Sequence, residues 1–174
     1  MPVRFFALLL AVCLLFCAMP CAQAATHTIS GLFSLSYDET VYTADASVWL
    51  DHADERNRWL MLLTADGHVL DASMAFQEGW EHLSLTDPAS PSVQWYVEEM
   101  TASGFDHLET LEAGGAVFGL FRASDVDGEY LLGETVVSGW AITFFAYYDD
   151  PTLPADEALL QQLKGVLETY QPCR

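Results

Sequence analysis

Two stretches decide the fold: Ala116-Val117-Phe118-Gly119-Leu120-Phe121 and Ala141-Ile142-Thr143-Phe144-Phe145-Ala146. Neither alternates polar with apolar residues. Both faces of each strand must therefore leave water, and a sheet built from such strands needs cover on both sides. Around them lie Phe105 to Glu112 and Glu129 to Val137, with turn residues at Gly114-Gly115, Asp127-Gly128 and Ser138-Gly139. These connections are too short for crossovers, so the four segments predict an antiparallel meander.

Two amphipathic segments can supply the cover. In the later one Pro154 opens the helix and Asp156 and Glu157 fall in its first turn, where the helix dipole favours negative charge. Leu159, Leu160, Leu163, Val166, Leu167 and Tyr170 then make a continuous apolar stripe. The central one starts at Ser90-Pro91, places Val93, Tyr96, Val97 and Met100 on one face, and stops at Ser103-Gly104. Upstream, Phe33, Leu35 and Tyr37 alternate with Ser34, Ser36 and Asp38, the period of a half-buried strand. A short strand is expected around Ser47 to Leu50, followed by a polar loop from Asp51 to Asn57. Trp59 to Leu63, the turn Ala65-Asp66-Gly67 and His68 to Phe76 read as a hairpin. Its first strand is buried on both faces, and its second sends Asp71, Ser73 and Gln77 to solvent. The expectation is an α+β domain: an antiparallel sheet of about six strands flanked by two helices as an α/β/α sandwich.

This order of elements, from Phe33-Ser34-Leu35-Ser36-Tyr37-Asp38 through the Trp-rich hairpin, the helix ending in Ser103-Gly104-Phe105, the meander and the closing Leu167-Glu168-Thr169-Tyr170-Gln171-Pro172, resembles the PsbP-like fold. That fold is shared by an extrinsic photosystem subunit, a nuclear-import factor and many small secreted or lipid-anchored bacterial proteins. The resemblance covers nearly all of the chain beyond its leader. It implies an α/β/α sandwich that works as a binding or accessory module, without shared catalytic residues.

The start of the chain reads as an export signal. Arg4 is a short positive region, Phe5 to Met19 is apolar throughout, and Ala22-Gln23-Ala24 offers small residues for cleavage near Ala24 or Ala25. A lipoprotein anchor is the competing reading, but Val12, Phe16 and Pro20, which precede Cys13, Cys17 and Cys21, are not the small residue such an anchor needs. Residues 1–25 are thus expected to be a signal peptide, residues 26–174 a single domain, and the product secreted or extracytoplasmic.

The 174-residue chain carries 25 Asp+Glu against 6 Lys+Arg, a net charge of −19, and is 52% hydrophobic. Loss of Arg4 leaves 25 against 5, or −20. A surface so poor in cations disfavours nucleic acid and anionic membrane, and its expected partner is neutral or cationic, a protein or a sugar. Only Cys173 stays with the domain, as an incidental thiol on a tail or as half of an intermolecular pair, so no internal disulfide is expected.

No motif assigns a catalytic, cofactor or metal site. His27, His52, His68, His82 and His107 have no metal-ligand spacing. Ser103-Gly104 and Ser138-Gly139 complete no nucleophile elbow. Asp125, Asp127 and Glu129 alternate on a tight turn and could offer oxygens to Ca²⁺, although an Asp-Gly hairpin turn explains the same residues. A loop-built hydrolase site would draw on Asp51-His52-Ala53-Asp54 and His82. Among Trp49, Trp59, Trp80, Trp95 and Trp140, Trp80 sits in a polar loop and is the one expected to be exposed for stacking on a sugar.

Overall fold

The computed structural model describes residues 24–29, 33–45 and 57–172, with side chains described at all of these except 27–29 and 57–62. Among the described residues, ten strands and two helices follow one another. The strands are β1 (Ala24–Ile29), β2 (Phe33–Asp38), β3 (Thr43–Asp45), β4 (Asn57–Ala65), β5 (His68–Phe76), β6 (Asp106–Ala113), β7 (Ala116–Asp125), β8 (Gly128–Val137), β9 (Trp140–Tyr148) and β10 (Gln171–Pro172). Helix α1 (Pro91–Ala102) lies between β5 and β6, and α2 (Glu157–Leu167) between β9 and β10.

The meander forms as its turns predict. Strands β6 to β9 pair antiparallel with their neighbours, β9 then pairs with β5, and the main sheet runs β3-β4-β5-β9-β8-β7-β6. The alternating strand β2 does not join it. It pairs with β1 and β10 in a separate three-stranded sheet, so the chain has one strand layer more than two helices on one sheet would give. The physical reason is that α2 cannot cover a seven-stranded face by itself, and the buried Phe33 and Leu35 of β2 complete the cover beside it.

Strand alternation splits the core in two. Phe118, Leu120, Leu131, Ile142, Phe144 and Ala146 meet Leu159, Leu160, Leu163, Val166 and Leu167 of α2. Val117, Phe121, Leu132, Val136 and Ala141 point the other way, toward Val93 and Tyr96 of α1 and toward Leu83 and Leu85 of the preceding segment. Two strand glycines let the helices sit close. A Cβ on Gly133 would come within 2.6 Å of Leu167 Cδ1, and one on Gly119 within 3.2 Å of Tyr96 Cε1 and 2.5 Å of Phe121 Cε2.

Both helices are capped from the side chain. Ser90 Oγ accepts from Val93 N at 3.3 Å, with Pro91 at the first helical position. Asp156 Oδ1 accepts from Leu159 N at 3.0 Å. The helix α2 therefore begins at Glu157, with Asp156 as its cap and Pro154 outside it, because a carboxylate at the cap satisfies amide donors that a helix starting at Pro154 would leave open. Residues 1–23 of the expected leader, the expected strand at 47–50, residues 51–56 of the expected loop and Cys173 lie outside the described residues, while Asn57, expected in that loop, opens β4. The short strand described in that region is Thr43–Asp45, paired with Thr64 to Leu62 of β4.

Candidate functional site

The two faces of the main sheet end differently. On the α1 face the helix meets β7 and β8 through Tyr96, whose ring packs edge-on against Phe121 at 6.1 Å and whose hydroxyl donates to Glu134 Oε1 at 2.7 Å. Thr143 Oγ1 donates to the other oxygen of the same carboxylate. Burial raises the Glu134 pKa, and these two donors partly offset it. Toward the β7–β8 turn the same face opens into a hollow of about 570 Å³.

Three strands and a turn build that hollow. Cross-strand register sets Asp71 of β5 opposite Phe145 of β9, and Tyr147 of β9 opposite Tyr130 of β8. All four side chains lie on one face, because their positions follow the two-residue repeat of paired strands. Tyr130 and Phe145 pack edge to face, 5.8 Å between centroids at 62°. The turn Asp125 to Glu129 forms the rim.

Asp71 is the unusual group. It is only 7% exposed, and its Oδ1 has no hydrogen-bond partner among the described residues. Burial pushes its pKa up to about 6. Burial also raises the Tyr147 phenol, with the charges of Asp71 and then Asp149 adding to it. The sequence reading that sends Asp71 to solvent is thus corrected. Pairing with β9 sets Asp71 beside Phe145 and, one step along the same face, Tyr147, and the alternation of β5 taken alone does not show those neighbours.

The rim carboxylates have local duties. Asp125 Oδ1 accepts from Asp127 N at 2.8 Å, closing the turn, and Glu129 Oε2 accepts from Ala155 N at 3.1 Å, tying the turn to the approach to α2. Gly128, at φ +123° and with its α-carbon facing Pro151, makes that close approach possible. Among the described residues no three His, Cys, Asp or Glu side chains come together as an ion would require. The Ca²⁺ reading of Asp125, Asp127 and Glu129 therefore gains nothing from their placement.

The other sequence candidates scatter. His68 is buried and faces Tyr42, with Nε2 3.4 Å from its hydroxyl. His107 packs on Phe121 at 5.3 Å between centroids. His52 and Asp51 lie outside the described residues, as does the side chain of His27. His82 is exposed on a second groove, of about 580 Å³, with Glu78, Trp80, Ser92 and Trp95. Here Trp80 departs from expectation. Trp95 is 44% exposed, whereas Trp80 tucks against the α1-side core, 5.7 Å from Trp95 and 6.1 Å from Tyr96, because the loop that carries it folds over the helix start.

No protein-family model and no curated protein sequence matches the chain. Its structure is similar to the solution structure of cyanobacterial PsbP (CyanoP) from Synechocystis sp. PCC 6803, with a TM-score of 0.50 and 12% identity over 89% of this chain and 95% of that one. At that identity the likeness concerns the fold alone. The antiparallel sheets, the two helices and this similarity together give the chain a PsbP-like α+β fold.

Proposed function

We propose that the protein is an exported, non-enzymatic binding or accessory module that engages a cationic partner. The observation that carries this reading is the hollow on the α1 face, where carboxylates from β5 and from the β7–β8 turn surround a patch of aromatic rings. The whole chain, at −19, reinforces it by drawing cations toward every face. A site for acid–base chemistry would set two groups with opposed protonation tendencies within reach of one atom. Here the rim carboxylates serve the turn, and Asp71 stands on the aromatic floor.

A carbohydrate reading is the second one, favoured by Trp95, which at 44% exposure presents an indole beside Glu78, His82 and Ser92. One experiment addresses both. The purified domain is passed over immobilised poly-lysine, dextran and poly-glutamate at low and high salt, in parallel with chromogenic ester and glycoside substrates. Saturable binding to poly-lysine that weakens with salt is expected. Binding to dextran alone would favour the Trp95 groove. Turnover of any substrate, or equal binding to poly-glutamate, would overturn the module reading. Detection of the mature domain in the cell-free fraction of its host tests export.

A further inference from the structure

We propose that the hollow on the α1 face is a binding site for a small organic cation, one bearing an alkylammonium or guanidinium group, with Asp71 as its counter-ion and the rings of Tyr130, Phe145 and Tyr147 as its walls. This rests on the binding-module reading and narrows it to a ligand class.

The argument begins with an imbalance. A carboxylate oxygen removed from water is stable only when a donor or a positive charge faces it. Asp71 Oδ1 is buried with no hydrogen-bond partner among the described residues, and Asp71 lines a hollow open to solvent. What the site lacks is one positive charge. The acidic rim makes an anion unwelcome there. A hard divalent ion would need several oxygens at about 2.3–2.6 Å, and no such cluster exists among the described residues.

The walls select among the remaining cations. Ring faces attract a positive group within about 6 Å, and more strongly when it is shielded from water. Tyr130, paired across the strands with Tyr147, and Phe145, paired with Asp71, bring such rings and the buried Asp71 carboxylate onto neighbouring positions of a single sheet face. A hollow of about 570 Å³ lies in the range of small-molecule sites and far exceeds what a bare metal ion fills. Carboxylate and rings together suit a cation with an apolar stem, whose CH₂ groups rest on the aromatics while the charged head reaches Asp71.

The test is a titration of the purified domain with arginine amide and cadaverine, with citrulline amide as the neutral isostere, followed by calorimetry and by the ring proton resonances of Phe145 and Tyr147. The charged ligands are expected to bind saturably at 150 mM salt and to move those resonances, and citrulline amide to do neither. Asp71→Asn, nearly the same in shape, is expected to weaken binding at least tenfold and Tyr147→Leu about threefold. Glu99→Gln, an exposed charge on α1, stays within twofold. Thermal melts of each variant establish that it is folded. Should Asp71→Asn fail to fold, the wild-type ring shifts and the citrulline comparison decide alone. Equal binding of citrulline amide, unshifted rings, or undiminished affinity in folded Asp71→Asn would overturn the assignment. So would an arginine-containing peptide that binds where arginine amide does not, which would give the hollow to a protein partner's side chain. Poly-lysine binding that survives any of these failures leaves the broader module reading standing.

Discussion

Along β7 the even residues Ala116, Phe118 and Leu120 go to the α2 face and the odd residues Val117 and Phe121 go to the α1 face, yet the two faces are finished in different ways. The α2 face is closed by five buried aliphatic residues of one helix, together with Phe33, Leu35 and Tyr170. Rings pack there, with Phe118 edge-on to Tyr170 at 5.2 Å and Phe33 tilted against it at 5.1 Å. The α1 face has the smaller core, sequesters Glu134 and Asp71, and ends in an open hollow. One face therefore supplies stability by burying apolar area, and the other gives up some of that area to hold two carboxylates out of water.

Substitutions that treat the faces alike should reveal the contrast. The largest effect is expected from Leu163→Ala on α2, fully buried in the larger core, at about 2–5 kcal/mol by urea denaturation. An equal loss from Val93→Ala on α1 would erase the distinction. Next comes Gly133→Ala, which drives a methyl into Leu167 and should cost about 1–3 kcal/mol, read as a lower denaturation midpoint with an unchanged slope. Tyr96→Phe removes one of two donors to Glu134 and should cost about 1 kcal/mol or somewhat more, and the additional change Glu134→Gln should recover part of it.

Asp71→Asn is expected to act in the opposite direction. Folding raises the Asp71 pKa from 3.8 to about 6, so the folded state holds this proton more tightly than the unfolded chain. Its contribution is then most favourable below pH 3.8, declines as pH climbs through the interval to about 6, and stays unfavourable above it. The variant should be more stable than the parent at pH 7.5 by about 1 kcal/mol, with the difference vanishing at pH 4. A midpoint difference independent of pH would contradict the buried charge. The smallest effect belongs to Lys164→Met, which breaks the 2.7 Å ion pair with Glu109 at the edge of the α2 face, worth about 0.5 kcal/mol and lost in high salt.

Much of the fold was legible because turn chemistry and periodicity agreed. Gly114-Gly115, Asp127-Gly128 and Ser138-Gly139 mark three hairpins whose strands fall where their residues demand, and Leu163, Val166 and Leu167 of the final stripe are buried as its spacing requires. The small sheet was not legible, since β10 is two residues long and its pairing with β2 joins positions that local pattern cannot connect. The hollow was missed for a related reason. Alternation along β5 describes that strand alone, while the rings beside Asp71 come from β9, which sheet order and register place next to it. The partial burial of Trp80 has the same origin, because a loop's polarity does not say which way it folds over a helix.

One detail at the far end of the sheet reaches further than its size. Register between β7 and β8 runs from Asp125↔Gly128 only as far as Gly119↔Glu134, and beyond it Leu85 is wedged in, receiving from Val117 N at 2.8 Å and donating to Val136 O at 2.9 Å. The chain leading into α1 is thus stitched through the fabric on which the helix rests. These two main-chain bonds hold the approach to α1 on the sheet at Leu85, so the seat of the helix is set by its connection as well as by its own packing.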